Sequence, residues 1–122
     1  MGRKTSPVAL ATLVAHQSPE AAAVKHFVVE ITYRVPADEL KDVVGAHRAY
    51  LQTGIDHGIV LCSGPQASRL GGIVLLRADA AERVEEFFAL DPYQREGLAD
   101  YRIIEFSPLK FQPALADWVG AA

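Results

Sequence analysis

The stretch HFVVEITYRVPADELKDVVGAHRAYLQTGIDHGIVLCSGP, residues 26–65, decides how the whole chain is read. Its first nine residues set Phe27, Val29, Ile31 and Tyr33 on one side and Val28, Glu30 and Thr32 on the other, the period-two signature of a β-strand. Pro36 suits a first helical turn, and Asp38 and Glu39 lie near the positive end of the helix dipole. Leu40, Val43, Val44, His47, Tyr50, Leu51 and Ile55 then recur at helical spacing, which predicts one long helix over about residues 36–57, stopped by Gly58. Residues 59–63 read as a second strand closed by Gly64-Pro65.

Downstream, residues 71–77 (GGIVLLR) predict a third strand that pairs with the second as a hairpin. Asp79 is placed to cap a second helix running to Leu90, whose apolar side carries Val84, Phe87 and Phe88. Asp91-Pro92 interrupts it, residues 93–98 form a short helical turn, and residues 100–107 (DYRIIEFS) supply a fourth strand. Pro108 and Pro113 limit further pairing before a small tail helix carrying Trp118. The order is β-α-β-β-α-β, an α+β ferredoxin-like plait with an antiparallel sheet. The domain proper covers residues 26–113, preceded by an arm or short helix over 1–25 and followed by a tail over 114–122.

Both helices of such a plait lie on one face of the sheet, so the other face should turn polar if it meets water. The second, third and fourth strands are instead apolar on both faces, with Leu61 against Val60 and Cys62, Leu75 against Val74 and Leu76, and Ile103 against Ile104 and Phe106. At about 25 cal/mol per Å² of apolar surface, leaving that face wet forgoes many kcal/mol. A homodimer through the sheet face is the expected solution. The N-terminal arm folding over its own sheet is the competing one.

The chain has 122 residues, 50% apolar and 22% charged, the composition of one packed globule. A net charge of −3 gives no general attraction for nucleic acid or an anionic membrane. One cysteine, Cys62, excludes an internal disulfide and any multi-thiolate metal site within the chain, in keeping with a cytoplasmic location. No run approaches the roughly 20 apolar residues of a spanning helix. Arg3 and Lys4 before VALATLVA (residues 8–15) only loosely resemble a secretory signal, and Met1-Gly2 with Ser6 only loosely matches a myristoylation pattern.

His47 is the first candidate for chemistry, because it occupies an apolar stripe where the pattern calls for Leu or Val. A buried imidazole must find a partner, and Asp91 is available. If Asp91 accepts from His47, it fixes the tautomer and frees the other nitrogen to exchange a proton with a ligand; an inert hydrogen-bonded histidine is the plainer alternative. Asp91 also suits a simple capping role before Pro92. Ser63-Gly64-Pro65 either lets a ligand approach the backbone or forms an ordinary turn. Ser63 lacks the context of a nucleophile elbow, and Cys62 reads as a small core side chain. Tyr93 and Tyr101 either line a pocket or pack. His16, His26 and His57 show no metal-ligand spacing and read as surface or edge residues. Gly71-Gly72 belongs to the hairpin, since neither a helix nor a Lys-Ser pair follows it.

His47 with Leu51 four residues on, Gly58 before Ile59-Val60-Leu61, Ser63-Gly64-Pro65, and Asp91-Pro92-Tyr93 with Gly97-Leu98 leading into Tyr101-Arg102-Ile103 and Phe106 together resemble the YCII-related (YciI-like) family, over about residues 26–112. That resemblance implies a dimeric α/β barrel of ferredoxin-like halves. It also implies a histidine and aspartate pair, here His47 and Asp91, in the active site, with Ser63, Gly64 and Pro65 at the cleft edge. The family's proposed chemistry is proton abstraction or halide elimination on small cyclic or phenolic compounds. Two departures stand out: Val44 replaces an arginine found one turn before the histidine in many members, removing an anchor for an anionic group, and residues 1–25 have no counterpart.

Three functional readings follow. The first is a small enzyme without cofactor or metal, in which neutral His47, oriented by Asp91, acts as general base or acid in isomerase or lyase chemistry on a small organic ligand, with Tyr93 at the pocket. The second is a non-catalytic binding or interaction module of the same fold. The third, haem binding, requires an axial histidine facing a large cavity.

Overall fold

The structure is a computed structural model that describes residues 23–120. The arm expected before the domain lies almost wholly outside the described residues, as does His16. Strand β1 (Lys25–Tyr33) is central in the sheet, and Phe27, Val29 and Ile31 are its buried face, as the period-two reading requires. A helix, α1 (Val44–Asp56), leads to the hairpin of β2 (Val60–Pro65) and β3 (Gly71–Ala78). Then come α2 (Ala81–Ala89), the single-turn α3 (Pro92–Arg95), β4 (Ala99–Phe106) and a tail with α4 (Ala116–Val119). The sheet order is β2-β3-β1-β4 with every neighbouring pair antiparallel, so each βαβ unit skips one strand. This is the α+β ferredoxin-like plait.

The long helix expected over 36–57 is broken. Residues 37–40 form a 3₁₀ turn, and backbone bonds from Glu39 to Pro36 and from Val43 to Leu40 reach back three residues; from His47 to Val43 the reach becomes four. Over one turn, periods of 3 and 3.6 put the same residues inward, so Leu40 is buried either way and the pattern cannot separate the two. The other end follows expectation. Gly58 has φ +76°, Ile59 N–H donates to Gly54 and Gly58 N–H to Ile55, which is a Schellman stop.

Gly54 allows α1 to sit close to the sheet. A Cβ there would lie 2.7 Å from a Val60 methyl carbon and 2.9 Å from the Phe87 ring. Gly71 is more constrained still, because a Cβ would land on the Ile31 carbonyl oxygen; the glycine pair thus serves strand approach, as a hairpin feature.

Three readings need correction. Asp79 does not cap α2: the chain stays extended through Ala80, which takes the cap position, so Asp79 stands one residue too early to reach the first free amides. Cys62 is exposed, not a core side chain, and His26 is buried, not a surface residue. The cause for Cys62 is a bulge between Val60 and Cys62 that breaks strict alternation along β2. The cause for His26 is the tail, where Trp118 packs against its ring at 5.3 Å and Arg77 donates to the Trp118 carbonyl at 2.7 Å.

The face of the sheet away from the helices carries Val28, Ile73, Leu75, Ile104 and Phe106, as the pairing register requires. Ile104 and Phe106 are each 38% exposed. One ion pair, Arg102 to Glu30 at 3.5 Å, interrupts that apolar surface.

Candidate functional site

A cavity of about 410 Å³ lies between α1 and the sheet. One side of α1 supplies Val44, His47, Arg48, Leu51, Gln52 and Ile55. The sheet supplies Ile31 and Tyr33 from β1 and Val74 from β3. Ser63, Gly64 and Pro65 form the wall from β2, and Tyr93 of α3 closes the inner end.

The bulge in β2 aims that wall. Val60 opposes Leu76 on the helix side, but Cys62 opposes Leu75 on the open side, so the extra residue, Leu61, shifts all that follows by one. Ser63 and Pro65 therefore oppose Val74 and Gly72 and share the helix side with the cavity. Strict alternation from Val60 would have turned both away.

His47 enters the cavity from the apolar stripe of α1, its side chain 12% exposed. Its Nδ1 lies 2.7 Å from Oδ1 of Asp91, whose side chain is fully buried. Its ring stacks on Tyr93 with centroids 3.9 Å apart and planes 10° from parallel. The carboxylate selects the tautomer while the stack fixes the ring plane. In the neutral ring Nδ1–H donates to Asp91 and Nε2 carries the lone pair. Among the described residues Nε2 has no hydrogen-bond partner and is not among the sealed polar atoms.

Asp91 is held as firmly as it holds. It caps α3, accepting from the Tyr93 amide at 3.2 Å, with Pro92 at the first helical position. Its other oxygen accepts from the Tyr101 hydroxyl at 2.6 Å. Three donors on one sealed carboxylate compensate its loss of water. Burial, with the Asp91 charge and hydrogen bond adding to it, pushes the Tyr101 phenol well above its ordinary value, so Tyr101 remains a donor. Burial likewise raises Tyr93 to about 12, helped by Tyr33 and Asp91 and opposed by Arg48. Tyr50, raised chiefly by burial, donates to the Phe87 carbonyl at 2.6 Å and ties α1 to α2.

The structure thus gathers every candidate residue at one place: His47, Ser63, Gly64, Pro65 and Tyr93 line the cavity, and Asp91 stands sealed behind His47. The structure gives two further residues a place at the site. Tyr101, open in sequence between pocket and packing, is a half-buried donor to Asp91; nothing in its local pattern signals this. Arg48 lines the cavity, and its place one residue past His47, at the margin of the apolar stripe, was the available clue. Among the described residues no group of three or more His, Cys, Asp or Glu side chains could hold a metal ion. No helix of the described residues is long and apolar enough to cross a membrane.

No curated protein matches the chain. Among solved structures, it is similar to the 5-chloro-2-hydroxyhydroquinone dehydrochlorinase of Burkholderia phenoliruptrix AC1100, in complex with 2,5-dihydroxybenzoquinone. The identity is 21%, the TM-score 0.55, and the likeness covers 66% of this chain and 90% of that one. At that identity the likeness speaks for the shared fold. Residues 26–107, which include the cavity-lining parts of β1, β2 and β3, the His47 and Asp91 pair and Tyr101, match the YCII-related domain, and the chain belongs to the YCII-related family.

Proposed function

We propose that the protein is a small enzyme of acid–base chemistry, in which His47 removes a proton from a small cyclic or phenolic ligand in the cavity. The observation that carries this reading is the His47 ring, bound through Nδ1 to sealed Asp91 with Nε2 left for the cavity. Nε2 takes a proton from an acidic carbon or hydroxyl of the ligand, and Asp91 stabilises the imidazolium that forms. Returning the proton to another atom gives an isomerase outcome. Loss of a leaving group with its electron pair gives a lyase outcome, as in release of hydrogen chloride from a chlorinated hydroquinone. A positioned base of this kind contributes about 10² to 10⁴ in rate.

The test uses 5-chloro-2-hydroxyhydroquinone with chloride release as readout, beside solvent deuterium exchange into a set of small phenols and lactones. Wild-type protein is expected to accelerate at least one reaction, and His47→Ala to lose about 10²-fold or more of it while remaining folded. A rate that survives the substitution overturns the proposal. The non-catalytic reading would fit a histidine with both ring nitrogens bonded to protein groups; the free Nε2 favours the enzyme.

The open sheet face is assigned to a second copy of the chain. Its support is the row of Val28, Leu75, Ile104 and Phe106 on the face opposite α1 and α2, beside the tail docked on His26. Light scattering on the full chain should report a dimer, and Phe106→Glu should give monomers by placing a charge on the contact. A monomeric wild-type chain would rule the dimer out.

A further inference from the structure

The charge distribution around the cavity is one-sided. Among the described residues Arg48 is the only permanently charged side chain lining the space, and no carboxylate of theirs lines it, since Asp91 is sealed behind His47. This holds in a protein whose acidic residues outnumber its basic ones, 15 to 12. Arg48 is exposed to solvent at the cavity wall, yet a cation there still favours an anion in the cavity, because no counter-charge among the lining residues described offsets it.

Arg48 is also uncommitted. Helix neighbours that could neutralise it stand three and four residues away, and these are Gly45, Val44, Leu51 and Gln52, none of them acidic. Arg34, Arg83 and Arg102 each pair with a carboxylate and Arg77 donates to three carbonyls, whereas Arg48, like Arg69 and Arg95 away from the cavity, has no side-chain ion pair or hydrogen bond among the described residues. Its influence reaches the inner end of the cavity, where it opposes the rise of the Tyr93 phenol. A helical side chain leans over the turn before its own Cα, so Arg48 covers the Val44 part of the wall, on the His47 side. Across the space, Ser63 offers a hydroxyl with no partner among the described residues, while the Gln52 amide is drawn outward to Asp56 at 2.8 Å.

We propose that Arg48, assisted by Ser63, binds an anionic oxygen of the ligand, a carboxylate or an ionised ring hydroxyl, so that the substrate is a small organic anion whose apolar body lies against Ile31, Leu51 and Val74. This rests on the assignment of the cavity to proton transfer by His47 and adds the charge of the molecule that enters it. A planar guanidinium suits either anion, since it donates two parallel hydrogen bonds to a carboxylate and one or two to a phenolate. Holding the anion on α1 beside His47 presents the rest of the ring to Nε2.

The experiment compares matched probes on the full chain by calorimetric titration at low and high salt. For the carboxylate arm the pair is 4-hydroxybenzoate and 4-hydroxybenzamide. For the ring-hydroxyl arm it is 2,5-dihydroxybenzoquinone, a vinylogous acid, and its dimethyl ether. At least one anion is expected to bind about tenfold or more tightly than its neutral partner, with the preference shrinking in salt. Arg48→Met, which keeps the apolar stem, should abolish that preference, and Arg48→Lys should restore part of it. Equal binding of anion and neutral partner, binding of neither anion, or a preference that survives Arg48→Met overturns the inference. His47→Ala separates the two readings: it should keep the anion preference while losing proton transfer. Loss of the preference alone sinks the Arg48 assignment, and exchange that survives His47→Ala sinks the reading of the cavity.

Discussion

His26 and His47 are both imidazoles turned toward protein, each against an aromatic ring, yet their surroundings are opposite. His47 stacks flat on Tyr93 with a sealed carboxylate behind it at 2.7 Å. His26 meets Trp118 at a tilt of 55°, has a cation nearby in Arg77, and its Nε2 is buried with no hydrogen-bond partner. An anion behind the ring supports the imidazolium that proton transfer creates; a cation beside it opposes that form. Burial lowers the His26 pKa, and Arg77 adds to this against the pull of the Val119 and Trp118 backbone. In the proposed function one ring gains a proton during a reaction, whereas the other is part of the packing that docks the tail.

Removing the carboxylate breaks the comparison most. Asp91→Ala leaves the His47 Nδ1–H, the Tyr101 hydroxyl and the Tyr93 amide without their acceptor. The expected loss is at least about 3 kcal/mol of stability, seen by urea denaturation, together with the proton-transfer rate. A variant as stable as wild type would show that the three bonds do not hold the site. Tyr101→Phe is a smaller change, deleting one donor from Asp91 and leaving His47 in place. It should cost about 1 kcal/mol of stability and shift the pH dependence of turnover, since a carboxylate with one donor fewer polarises the imidazole differently. An unchanged pH profile would reduce Tyr101 to packing.

The smallest effect belongs to His26. Its folded pKa lies below the ordinary 6.5, so the unfolded chain binds the proton more readily and the stability contribution is present above that value. It is lost as the pH falls from about 6.5 through the folded value. Trp118 is the only tryptophan and reports on the tail directly. Its fluorescence should change on mild acidification, and His26→Phe should flatten the change. A response identical in the variant would locate the titration elsewhere.

The two histidines also show how far local pattern carries. His47 stood out because helical spacing places it among Val44, Tyr50 and Leu51, and the same spacing identified α1. His26 is the second residue of β1, whose period is legible in the sequence, but its burial comes from residues 116–119, some ninety positions away in the chain. Asp79 stands one residue before the cap for a related reason: where the strand ends is set by its pairing with β1 through Ala78, not by the residues around the cap. Leu61 is the clearest case. Nothing in Ile59-Val60-Leu61-Cys62-Ser63 announces a bulge, and that bulge decides which side of the sheet Ser63 faces.

The order of strands and helices, the inward side of β1 and α1, the stop at Gly58 and the suspicion attached to His47 and Asp91 were all written in the amino-acid sequence. Each depends on residues a few positions apart, whose backbone preferences and side-chain directions repeat with a fixed period. The meeting of His47 with Asp91 across 44 residues, the hydroxyl that Tyr101 lends to that carboxylate, the inward turn of Ser63 and the lone charge of Arg48 on the cavity wall were decided only by the folded structure. They depend on the register between strands and on the depth at which helices settle on the sheet, and those are set by packing across the whole core.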